Sequence, residues 1–138
     1  MHSLSAIRRT AVAFFAVVSF GALAACGPSA PEEAQQSPYS FSTSTPDISM
    51  EGTPTVDVRI TRDGAPVAEA VVFETRFDME PDGMGAMTST VTAQGSPEPG
   101  TYRFEVKPTM AGRWKLSLGA KVQGEADTVR GSVVVTAR

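Results

Sequence analysis

Residues Asp78-Met79-Glu80-Pro81-Asp82-Gly83-Met84-Gly85-Ala86-Met87 set three thioethers and three carboxylates on one turn-rich stretch. Methionine normally fills gaps in apolar cores, and three of them among Pro, Gly and acids cannot all be core residues. Thioethers are soft neutral donors that select Cu(I) or Ag(I) over harder ions and need no deprotonation to bind. Met84 and Met87 stand three apart across Gly85, a spacing flexible enough to converge on one ion, and Met79 approaches from the other side of the Pro81–Gly83 bend. With Met110 and Trp114 further along, the stretch points to a soft-metal site or a recognition loop.

The carboxylates admit harder chemistry. Asp78, Glu80, Asp82 and Gly83 match the first half of a calcium loop, with acids at positions one, three and five and glycine at six. The second half departs from that pattern: position twelve is Ser89, Pro81 stiffens the middle, and no helical periodicity flanks the loop. A carboxylate pair for sugar hydrolysis needs a substrate cleft, which a domain this small does not suggest. Solvated loop acids are the simpler account, and no enzyme activity is expected.

The start of the chain predicts export. Arg8 and Arg9 precede an apolar run from Ala11 to Ala25, shorter than the roughly 20 residues of a membrane span and ordered like a secretory signal. Leu23-Ala24-Ala25-Cys26 resembles the lipobox of bacterial lipoproteins, which implies that residues 1–25 are a lipoprotein signal peptide and that Cys26 is lipidated. Cys26 is the only cysteine and so has no partner for an intramolecular disulfide. Acyl chains contribute roughly 0.8 kcal/mol per buried methylene and would hold the protein on the lipid membrane. The expected location is the periplasmic side of the envelope, with Gly27 favouring the outer membrane over the inner.

Removing residues 1–25 takes away Arg8 and Arg9 and moves the formal charge from −3 to −5. An acidic chain with scattered basic residues has no electrostatic footprint for nucleic acid. His2, the only histidine, leaves with the signal. The remaining domain then lacks the usual general base, nucleophile and zinc ligands.

Residues 26–51 are rich in Pro, Ser, Thr, Gln and Glu and read as a flexible spacer, with Tyr39 and Phe41 as isolated aromatics. The loop must then be positioned by the folded domain, residues 52–138. Val56, Val58 and Ile60 alternate with polar residues up to an Asp63-Gly64 turn signal, and Val71, Phe73, Thr75 and Phe77 form a second alternating set. Met87–Ala93 is a weaker strand and Gln94–Gly100 a turn region. Tyr102, Phe104 and Val106, then Trp114, Leu116 and Leu118, alternate cleanly, and Val129–Ala137 closes the chain. Six or seven short strands with Pro/Gly turns predict an all-β antiparallel sandwich, in which Trp114 is a natural central core residue.

The Met-containing loop together with Met110-Ala111-Gly112-Arg113-Trp114 resembles the YtkA-like domain, a group related to FixH-type domains, and the likeness spans residues 52–138. The resemblance implies an immunoglobulin-like β-sandwich and an association with copper handling. It assigns Cu(I) or Ag(I) ligands to Met79, Met84, Met87 and Met110 alone; the place of Trp114 at the end of the Met110 turn separately makes its ring face a candidate cation–π cap for a bound monovalent ion. The implied partners are a heavy-metal efflux adaptor or an oxidase-assembly protein. The competing reading makes Met79 and Met110 buried gap-fillers and the loop a metal-free docking surface for an envelope membrane complex.

Overall fold

A computed structural model describes residues 37–138. The signal sequence, Cys26 and the first part of the spacer lie outside the described residues. Ten strands form two five-stranded sheets: β1 Tyr39–Thr43, β2 Asp47–Ile48, β3 Thr55–Arg62, β4 Ala65–Pro66, β5 Ala70–Met79, β6 Met84–Ser89, β7 Val91–Glu98, β8 Thr101–Val106, β9 Gly112–Val122 and β10 Val129–Ala137. One sheet runs β1-β3-β8-β7 with β4 beside β3; the other runs β2-β10-β9-β5-β6. All pairings are antiparallel except β2 with β10. The all-β sandwich expected from the sequence is present, with ten strands instead of six or seven because the spacer supplies β1 and β2, β4 is only two residues long, and one expected strand is divided into β6 and β7.

Alternation explains the core. Val56, Val58 and Ile60 of β3 and Tyr102, Phe104 and Val106 of β8 face Phe77, Trp114, Leu116, Leu118, Val133 and Val135 of the other sheet in a single buried cluster. Each such side chain contributes about 1.5–3 kcal/mol on burial. The β3–β4 hairpin closes on Asp63 (φ 49°) and Gly64 (φ 83°), the two left-handed residues that a tight two-residue turn demands.

Two expectations are corrected. The domain does not begin at residue 52. Tyr39–Thr43 pairs residue for residue with Val58–Arg62, and Asp47–Ile48 lies beside Thr136–Ala137. Tyr39 and Ile48 are buried, and Phe41 packs over Gly131, where an added Cβ would meet its ring at 2.0 Å. Tyr39 Oη donates to Glu125 Oε1 at 2.7 Å, and Arg62 joins the same carboxylate at 2.6 Å. Burial, then the Glu125 hydrogen bond, hold the Tyr39 phenol above its ordinary pKa. The sequence places an alternating aromatic pair here, but its Ser/Pro surroundings hide the strand.

The second correction concerns β5. Val71 and Phe73 do not share the buried face of Phe77; they are 68% and 59% exposed. Between Val72, opposite Ala120, and Glu74, opposite Gly119, Phe73 is extra, and this bulge reverses the facing of what precedes it. Strands β6 and β7 also divide what reads as one weak strand: Met84–Ser89 belongs to one sheet and Val91–Glu98 to the other, with Thr90 the crossing residue.

Candidate functional site

The Asp78–Met87 stretch is ordered by the strands on either side of it. Asp78 and Met79 end β5, Glu80–Asp82 make one 3-10 turn, Gly83 takes φ 79°, and Met84 opens β6 directly opposite Met79. The ladder then passes to Asp78 opposite Thr88, so Gly85, Ala86 and Met87 are looped out of register. Arg76 Nη2 holds that excursion by donating to Gly85 O at 2.6 Å. Met84 and Met87 would face opposite ways on a regular strand; the excursion leaves both 37% exposed.

The turn before Trp114 folds against this stretch. Arg113 N and Nε donate to Asp82 Oδ2 and Oδ1 at 2.7 and 2.8 Å, and Arg113 Nη2 donates to Pro81 O at 2.7 Å. Lys115 pairs with Glu80. Gly112, at φ 142°, is required at the crossing: a Cβ there would stand 2.5 Å from Met79 Cε and 2.7 Å from Asp82 Oδ2. Met110, two residues earlier, is 40% exposed.

Met79 is 1% exposed and belongs to the core, as the gap-filling reading has it. Trp114 is wholly buried, stacked on Phe77 with centroids 4.7 Å apart and an interplanar angle of 17°, its Nε1 donating to Met110 O at 3.0 Å. A ring enclosed in this way is a core anchor rather than a surface cap, which corrects the cation–π expectation for Trp114. Met110 is not the buried gap-filler of the competing reading.

Met50 was legible only as the end of a spacer. It follows β2, its N–H donates to Arg138 O at 3.2 Å, and its side chain packs partly on the core. Ile48 is level with Ala137 and Ala137 with Gly112. Met50, Met79, Met84, Met87 and Met110 therefore all stand at one end of the sandwich, after β2, at the end of β5, on β6 and in the turn before β9, with Met50 and the β6 methionines at opposite edges of their sheet.

The carboxylates of the Asp78–Met87 stretch are occupied. Asp78, almost fully buried, accepts from Arg76 Nε at 2.5 Å and from Glu80 N at 3.0 Å. Burial pushes its pKa up, but the Arg76 and Glu80 hydrogen bonds and the charges of Arg76 and Lys115 outweigh it, leaving the group below its ordinary 3.8. The Arg113 backbone N–H, then its guanidinium, hold Asp82 below 3.8 as well. Such carboxylates are poor proton donors at neutral pH and are already coordinated by protein groups. Among the described residues no three His, Cys, Asp or Glu side chains come together as a metal cluster. Beside these engaged carboxylates the stretch and the adjoining turn present exposed thioethers, a donor type suited to soft monovalent cations.

Depressed carboxylate pKa values stabilise the fold above the unfolded value, and this contribution is lost as pH falls through the folded values. Thermal melts should accordingly hold near neutral pH and fall below about pH 4, the ordinary range for Asp. Asp78→Asn should flatten that acid limb; a limb identical to that of the parent would show that Asp78 does not carry it.

The sequence profile of the YtkA-like family matches residues 33–119, which contain all five of these methionines and Trp114. Among solved structures, the ZirS C-terminal Domain aligns with 14% identity and a TM-score of 0.43, covering 95% of this chain and 87% of that one. A comparison with curated proteins gives no match.

Proposed function

We propose, for a chain that belongs to the YtkA-like family, an exported binding domain that holds Cu(I) or Ag(I) through thioethers at the methionine-bearing end. The observation that carries this reading is the gathering there of three exposed methionines, Met84, Met87 and Met110, beside carboxylates already engaged by Arg76, Arg113 and Lys115. Met79 lies beneath them as packing. In this reading Cys26 carries lipid and holds the domain at the periplasmic face of a membrane. The domain works by transient binding without turnover, passing the ion to, or keeping it from, an efflux adaptor or oxidase-assembly protein. A neutral donor set binds without releasing protons, so affinity should vary little between pH 6 and 8.

The test is a Cu(I) competition titration of residues 27–138 against a chromophoric chelator under reducing conditions. Stoichiometric binding is expected, weakened at least tenfold in Met84→Leu/Met87→Leu, whose apolar volume is nearly unchanged. Absence of binding at micromolar free Cu(I) would sink the proposal. The same exposed apolar end would then be read as a metal-free docking surface, for which the Leu variants should retain partner binding.

A further inference from the structure

The methionines of the Asp78–Met87 stretch and the adjoining turn are not equally open to a reagent. Met84, Met87 and Met110 are 37%, 37% and 40% exposed, whereas Met79 is 1% exposed. The cover over Met79 has a definite structure. Gly112 crosses so close that an added Cβ would stand 2.5 Å from Met79 Cε. The bonds from Arg113 to the Asp82 carboxylate and to Pro81 O pin that crossing in place. The other three sulfurs lie outside it: Met84 opens β6, Met87 sits in the out-of-register excursion, and Met110 is in the turn before β9.

Peroxides oxidise an accessible thioether to a sulfoxide, a polar and chiral group. With hydrogen peroxide the O–O bond breaks and an S–O bond forms at Sδ. The sulfur gives up two electrons to the peroxide, and water leaves with both peroxide protons. At an exposed position the new oxygen points into water at little cost. At Met79 it would be buried without a donor, which destabilises the fold. Sulfoxide oxygen is also a harder donor than thioether sulfur and suits Cu(I) or Ag(I) poorly.

We infer that Met84, Met87 and Met110 are sites of selective sulfoxidation by peroxides, with Met79 kept reduced beneath the Gly112 crossing, and that their oxidation switches soft-cation binding off without unfolding the domain. The switch rests on the cation reading above; the selective oxidation does not. The fold separates two uses of one side chain: the thioethers proposed to meet the ion also meet the oxidant, and the one that packs the core is kept from both.

The experiment uses residues 27–138, which retain every described strand. The protein is treated with hydrogen peroxide in native buffer and in concentrated urea, and peptide mass spectrometry follows each methionine. After the peroxide is removed, Ag(I) is titrated in chloride-free buffer against the oxidised protein, the untreated protein and Met84→Leu/Met87→Leu. In native buffer Met84, Met87 and Met110 should oxidise at least tenfold faster than Met79, and in urea all four at similar rates. Protein oxidised at the three should keep a cooperative melt and bind Ag(I) at least tenfold more weakly. Equal rates in native buffer, or the same difference in urea, would overturn the selective site. A lost melt would overturn the switch. So would parent-like Ag(I) affinity after oxidation, and if the double variant then loses binding the functional proposal still stands. No Ag(I) binding by the untreated protein would sink the cation reading and the switch together, leaving the sulfoxidation site.

Discussion

A chain shortened to residues 52–138 should fail to form a cooperative fold, whereas residues 27–138 should melt in one transition. The shorter chain loses β1, which covers one edge of β3 over five residues, and β2, which covers one edge of β10. It also loses the buried side chains of Tyr39 and Ile48 and the partly buried Phe41. At about 1.5–3 kcal/mol for each fully buried side chain, the deficit is roughly 5 kcal/mol, comparable to the whole stability of many domains of this size, about 5–15 kcal/mol. It would also uncover the Gly131 region beneath Phe41 and leave Glu125 without Tyr39. Circular dichroism melts and amide dispersion in NMR decide the matter. A sharp transition of the short chain within a few degrees of the longer one would show that the first two strands are ornamental.

Trp114→Ala should cost about 3–5 kcal/mol, the usual range for emptying a buried aromatic site. At roughly 4–8 °C per kcal/mol for a domain near this size, the midpoint should fall by more than about 10 °C. The substitution removes the ring stacked on Phe77 and leaves Met110 O without the Nε1 donor that shapes its turn. Trp114→Phe should recover most of the loss, because it keeps an aromatic ring against Phe77 while forfeiting one hydrogen bond worth about 1 kcal/mol. A small stability change in Trp114→Ala, accompanied by a large loss of Cu(I) affinity, would return Trp114 to the role of a cap.

The parts of the fold most legible in the sequence are those with one wet face and one dry face. In β3, β8 and β9 the apolar residues fall on alternate positions, and the structure buries those residues. Strand β1 obeys the same rule at Tyr39 and Phe41, yet two alternating aromatics between Ser and Pro are too short a pattern to separate a strand from a tether. Strand β5 defeats the rule for a different reason. An inserted residue at Phe73 breaks the parity, and nothing in residue types alone marks which of several apolar positions is the surplus one.

The site divides along similar lines. Its local half, Met79 to Met87, is contiguous and visible, and the adjoining Met110 turn is found by its neighbourhood to Trp114. The exposure of these methionines is not visible, because it depends on a three-residue slip in the β5–β6 ladder and on the guanidinium of Arg76 that holds it. Met50 reaches the same end of the sandwich, at the opposite sheet edge, through the parallel pairing of β2 with β10, a contact between segments nearly ninety positions apart. No local pattern records such a contact.

The latch between Tyr39 and Glu125, with Phe41 laid over Gly131, bears on how the molecule is made as well as on how it is held. The strand synthesised first among those described is sealed by residues of the last turn and last strand. Until β9 and β10 exist, Tyr39 and Phe41 have no floor to rest on. Distant pairings of this kind must meet the entropy of closing a long loop before they gain any contact, which slows folding. The closing of the sandwich is thus a late kinetic event. During that interval two aromatic side chains and a strand edge stay open to chaperones, proteases and neighbouring chains.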